Sequence, residues 1–321
     1  MSEQDPFRGH DEAWREWRGA MQGTRMHHGW ILAGKKGLGK AAFAMAAARE
    51  LVAEPGVAQP DFHPDIIRLD HLPANDDEDK KRADGKAYAT KRNITIDQVR
   101  AMQHRLETRP TLGSRRAVII DPADDLEKNA VNALLKSLEE PPAGTFFLLV
   151  SHRPGRLLPT IRSRCRTLRF AALPDDEVAT ILRRAVPAAD AATIAAATAA
   201  AEGSPGAALG FVEQDLASLH DIMLRIVSEG DEHFAMRGAL SAEIGARPDR
   251  ERQMATLDLA RAVVASAVGK ASRAAQARLI EVHAELSRLT AQVPTANFDA
   301  GLLAMEIGGL LASAVVPRET A

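Results

Sequence analysis

Five short apolar runs in the first 170 residues constrain this chain more than any other feature: 30–33 (WILA), 65–69 (DIIRL), 117–120 (AVII), 146–150 (FFLLV) and 167–170 (TLRF). None alternates strictly, which is the pattern of strands buried on both faces in a parallel sheet. Helical patterns lie between them. Residues 40–52 are Ala-rich and form helix readily. Residues 95–107 open on Thr95 with Gln98 three positions on, a capping-box signature, and Ile96, Val99, Met102 and Leu106 share one face. Residues 126–138 put Leu126, Ala130, Val131, Leu134, Leu135 and Leu138 on one stripe, which Pro141 and Pro142 close. Strands alternating with helices predict an α/β domain over 1–170.

Residues 71–93 interrupt this rhythm with an acidic block (76–79) and then a basic one (80–82), and read as a solvated, structureless surface insertion or a partner-binding loop. From residue 175 on, no strand signal survives. Ala-rich periodic segments run to the end with breaks at 203–206, 229–231, Pro248 and Pro294. The break at 203–206 divides a small helical unit, 171–212, from a larger one, 213–321.

Composition narrows the function classes. The 321 residues are 45% apolar but only 4% aromatic, so the core is built from aliphatics and Ala. Forty-one basic residues against 43 acidic ones leave a formal charge of −2, so any contact with nucleic acid must be local. The single cysteine, Cys165, excludes an intrachain disulfide and a Cys-built zinc site, and fits a reducing, cytoplasmic setting. It reads as a small buried filler, because no base accompanies it in the sequence. No apolar run is long enough to span a bilayer, and residues 1–10 carry no secretory leader pattern.

Gly34-Lys35-Lys36-Gly37-Leu38-Gly39-Lys40 follows the first strand and opens a helix, which is the setting of a phosphate-binding loop. In a working loop the backbone N–H groups and the helix N-terminus hold phosphate oxygens, and the Lys reaches the terminal phosphates. The next position needs Ser or Thr to hold magnesium, and here it is Ala41. Asp121 ends the third strand as the first acidic residue of a Walker B pair. The following position, where hydrolysing enzymes of this class keep a water-activating Glu, is Pro122. Asp124 and Asp125 read as caps of the next helix. Gly34, Gly37, Gly39, Lys40 and Asp121 thus form a degenerate nucleotide site. ATP hydrolysis is not expected of it, while ATP binding stays open.

Several ordered segments then carry a resemblance: His28-Gly29-Trp30-Ile31-Leu32-Ala33-Gly34, His63-Pro64-Asp65, Ile94-Thr95-Ile96-Asp97-Gln98-Val99-Arg100, residues 132–142 (NALLKSLEEPP) and residues 158–165 (LPTIRSRC). With these the chain resembles the delta prime subunits of the bacterial DNA polymerase III clamp loader, within the AAA+ superfamily. The resemblance implies a RecA-like α/β P-loop domain, a small helical lid domain and an all-α C-terminal collar domain. It also implies a non-hydrolysing stator in a five-subunit ring with motor subunits and delta, a sliding clamp loaded on primed DNA, and Arg164 as an arginine finger for a neighbour's ATP site. Gly206 or Ala207 stands where the motor subunits keep a nucleotide-sensing arginine. Residues 51–62 lack the four cysteines that many members carry as a zinc module, so no zinc and no other metal is expected.

Two alternatives stay open: an active ATP-hydrolysing motor subunit, and an ATP-independent DNA-binding scaffold. Arg153, Arg156, Arg162, Arg164, Arg166 and Arg169 form a basic cluster read as an interface or a solvated face. Ser151 occupies a polar sensor position or is a plain strand-end hydroxyl. Trp14 and Trp17 read as packing anchors.

Overall fold

The five apolar runs become five strands, β1 (Gly29–Ala33), β2 (Ile66–Leu69), β3 (Arg116–Ile120), β4 (Thr145–Ser151) and β5 (Arg166–Arg169). All pair in parallel in the order β2-β3-β4-β1-β5. The computed structural model describes residues 9–23, 26–86, 88–269, 271–293 and 298–314. Residues 1–8, read for a leader, the break at Pro294 and residue 87 of the charged segment lie outside the described residues.

Parallel strands need long crossovers, and helices supply them. The first unit carries α1 (Asp11–Gln22), α2 (Lys40–Val52), α3 (Asp76–Ala83), α4 (Ile96–Leu106), α5 (Lys128–Glu139) and α6 (Pro159–Arg162). Strand β1 shows how both sheet faces are covered. Trp30 and Leu32 join one core with Trp17, Phe43 and Phe170. Ile31 and Ala33 join the other with Val99, Leu134, Leu138, Phe147 and Ile161. Trp14 and Trp17 are packing anchors as expected: Trp17 meets Trp30 edge-on at 5.4 Å, and Trp14 lies 4.3 Å from Phe43.

The His63-Pro64-Asp65 segment has a packing role. Asp65 is fully buried and accepts from the N–H of Thr111 (2.7 Å) and Leu112 (2.8 Å), with Arg116 Nη2 at 3.4 Å. It ties the start of β2 to the loop that leads into β3.

Residues 71–93 correct one expectation, because they are not structureless. Residues 76–83 form α3, and Asn75 caps it by accepting from Glu78 N at 3.0 Å. The two charge blocks are the reason. Four acids in the first turn and three bases in the last oppose the helix dipole, and Asp77–Lys80, Glu78–Lys81 and Asp79–Arg82 pair one turn apart. Glu78 also accepts from Ala89 N at 2.6 Å, and Pro73 bridges to Thr90, so the excursion closes on itself.

The chain divides into two compact units between Leu173 and Pro174. The second contains α7 (Asp175–Ala185), α8 (Ala191–Ala200), α9 (Pro205–Glu213), α10 (Ala217–Glu229), α11 (Ala235–Ile244), α12 (Arg250–Val268), α13 (Arg273–Gln292) and α14 (Ala300–Ser313), with no strand among its described residues. The expected breaks are helix junctions. Ser204 caps α9, Gly230 (φ +81°) ends α10, and Pro248 precedes the Asp249 cap of α12. Among the described residues, no helix is long and apolar enough to cross a membrane.

Candidate nucleotide loop and arginine site

The loop between β1 and α2 is shaped by its glycines. Gly37 (φ +82°) and Gly39 (φ +77°) take the left-handed conformation that other residues resist. Gly34 is required for space, since a Cβ there would lie 2.5 Å from the Phe170 carbonyl oxygen. His10 Nε2 reaches Leu38 O at 2.8 Å, and its ring stands edge-on to Phe170 at 4.8 Å. No sequence signal pointed to His10, because its partners are distant in the chain.

Lys40 opens α2 and is buried. Its Nζ donates to Gly34 O (2.7 Å) and Lys35 O (2.5 Å), so the loop's lysine closes its own loop. Burial pulls its ammonium down to about 8, while the Asp121 and Asp124 carboxylates act in the opposite direction. Ala41 follows on the exposed side of α2 with no oxygen to offer a cation.

Asp121 stands at the end of β3, where burial raises its pKa against the pull of Arg68, whose Nη2 is 3.6 Å away. The Asp121–Pro122 peptide is cis. At the magnesium position the residues do not fit the ion, because residue 41 lacks the hydroxyl, and Lys40 is engaged by two carbonyls of its own loop.

The reading of Asp124 and Asp125 as helix caps is corrected by the structure. Helix α5 begins only at Lys128, and Asp124 turns the other way. It accepts from Ser151 Oγ (2.9 Å), His152 N (2.5 Å) and Arg153 N (3.1 Å), satisfying backbone donors where β4 leaves the sheet. Ser151, completely buried, is thereby committed to Asp124. Asp125 Oδ2 lies 3.2 Å from His71 Nε2, and this neighbouring carboxylate raises the His71 pKa. His152, beside this junction, is pushed down to about 4 by burial and by Lys40.

Gly34, Gly37, Gly39, Lys40 and Asp121 are therefore grouped at the carboxyl ends of β1 and β3. Arg164 stands on a separate element, just after α6. Its Nη2 is 2.8 Å from Glu139 Oε1, and its Nη1 donates to Thr160 O (3.0 Å) and Ser163 Oγ (3.3 Å). Of the other arginines in the cluster, Arg166 pairs with Glu16 at 3.2 Å and lies over the Trp30 ring, while Arg153, Arg156, Arg162 and Arg169 are exposed. Cys165 is partly buried against the second core, and burial pushes its thiol up to about 12, which fits a filler and not a nucleophile.

The family described as "DNA polymerase III, delta subunit" matches residues 9–174. The chain belongs to this family. The family match ends at the boundary of the first unit and so contains the loop, Asp121, Asp124 and Arg164. The DNA polymerase III subunit delta' of Escherichia coli is 34% identical over 207 residues, 60% of this chain and 57% of that protein. Its counterpart in Pseudomonas aeruginosa is 36% identical over 151 residues, 43% and 41% of the two chains. The chain thus spans about half the length of the curated relatives it matches. A solved Thermotoga maritima protein related to the gamma subunit of DNA polymerase III aligns with 94% of this chain and 99% of its own, at 18% identity and a TM-score of 0.47.

Proposed function

We propose that this member of the family is a non-hydrolysing delta prime subunit of a cytoplasmic clamp loader. In this reading it serves as a stator in a five-subunit ring with motor subunits and delta. It supplies Arg164 to the ATP site of a neighbour and so assists loading of the sliding clamp on primed DNA. Residues 171–212 are its lid and 213–321 its collar.

The observation that carries the reading is the pairing of two defects at one site with an intact arginine segment outside it. Ala41 leaves no metal ligand and Pro122 leaves no carboxylate to activate water. Arg164 keeps a planar, permanently charged guanidinium of the kind that stabilises a phosphoryl group in transfer. The delta' names of the relatives support the same assignment. Steady-state ATP turnover by the purified chain tests it: hydrolysis should stay at background, and robust turnover abolished by Lys40→Ala would overturn it.

A further inference from the structure

The ion pair between Arg164 and Glu139 has no part in the reading above, yet it is set up from both sides. Pro141 and Pro142 stop α5, so Glu139 is its last residue. A carboxylate there faces the negative end of the helix dipole and is unfavourable without a cation beside it. Arg164 is that cation.

The main chain under Arg164 has little room to move. Ile161, almost fully buried, seats α6 in the core that Leu134 and Leu138 of α5 share, and Arg164 N donates to Ile161 O at 3.1 Å. From the other side, a Cβ on Gly29 would come within 2.9 Å of both Arg164 O and Cys165 Sγ. What stays free is the long side chain, with its large rotamer entropy. Thr160 O, Ser163 Oγ and the Glu139 carboxylate together select one arrangement.

Building on the proposed trans role of Arg164, we propose that Glu139 is its positioning residue. It orients the guanidinium beside the end of α5 and releases it to the phosphoryl oxygens of a neighbour's nucleotide. Both side chains are partly exposed, 35% for Arg164 and 48% for Glu139. The pair is therefore weak enough to exchange, and a phosphate that accepts two parallel N–H bonds displaces a single carboxylate contact.

The test compares ATP turnover of the assembled loader carrying wild-type chain, Glu139→Gln, Glu139→Asp, Arg164→Ala or the Glu139→Gln/Arg164→Ala pair. Glu139→Gln should lower kcat about two- to fivefold, the range of an exposed ion pair, with KM for ATP unchanged. Glu139→Asp should recover part of the loss, and Glu139→Gln should add nothing once Arg164 is Ala. In the isolated chain, the Arg164 Nε–H heteronuclear NOE should fall in Glu139→Gln, and in the wild type it should fall as salt rises.

Full kcat in Glu139→Gln alongside a loss in Arg164→Ala would overturn the Glu139 role while leaving the finger. Full kcat in Arg164→Ala would overturn the finger itself. An equal loss from Glu139→Gln in both backgrounds, or an unaltered NOE, would make Glu139 a structural residue and contradict the proposal.

Discussion

Arg164 Nη2 lies 2.8 Å from Glu139 Oε1, joining the two longest motifs of the chain, residues 132–142 and 158–165, in one contact. Helix α5 ends at one partner and α6 delivers the other, so the packing of these two helices sets where the arginine stands.

Gly34 is irreplaceable for space. An Ala there would put Cβ 2.5 Å from Phe170 O and 3.0 Å from Phe170 Cβ. Gly34→Ala should cost about 1–3 kcal/mol in urea unfolding, as overpacking does. Gly155→Ala, where a Cβ meets nothing within 4 Å, is the control and should stay within about 0.5 kcal/mol of wild type.

Asp124 fastens the turn after β3 to the end of β4. Asp124→Ala strands the donors of Ser151, His152 and Arg153 and should cost about 1.5–3 kcal/mol, the range for bonds to a charged acceptor. Denaturant midpoints measure it, and a change near zero would return Asp124 to the status of a surface turn residue.

Asp65 and Arg116 are both buried, with side chains 0% and 5% exposed. Removing only the carboxylate leaves a buried guanidinium without its counter-charge. Asp65→Ala should therefore destabilise by about 3–5 kcal/mol, measured by the same unfolding assay. The acceptors Arg105 O, Thr108 O and Arg109 O keep part of Arg116 satisfied, which favours the lower end of that range.

Lys40 gives a pH signature. Burial lowers its pKa from 10.5 to about 8, so between these values the unfolded chain holds a proton that the folded chain has lost. Stability then rises with pH over that window. The unfolding free energy of wild type minus that of Lys40→Met should be level below about pH 7 and climb towards about pH 10.5. A difference that is flat or falls would contradict the buried lysine.

Much of this architecture was legible along the chain. Strands β1 to β5 announce themselves as apolar runs, and α4 and α5 by their stripes and caps, because burial on two sheet faces and one helix face leaves a periodic trace. Helix α3 leaves none: its stability comes from i,i+3 charge pairs and dipole matching, and a charge run without an apolar stripe reads as loop. Asp124 was misread because its nearest helix is close in sequence, whereas its partners lie 27 to 29 residues away. The loop glycines, Lys40, Asp121 and Arg164 were visible as motifs. That Lys40 folds onto Gly34 and Lys35, and Arg164 onto Glu139, depends on side-chain directions that spacing alone does not encode.

The central claim, that the chain acts on a neighbour's ATP through Arg164 and not on its own, is tested most directly by the ATPase rate of the assembled loader with DNA and clamp, wild type against Arg164→Ala. The account predicts a fall on the order of a thousandfold at the neighbour's site, the scale of an arginine finger, with assembly intact. An unchanged rate in a fully assembled Arg164→Ala complex would contradict it.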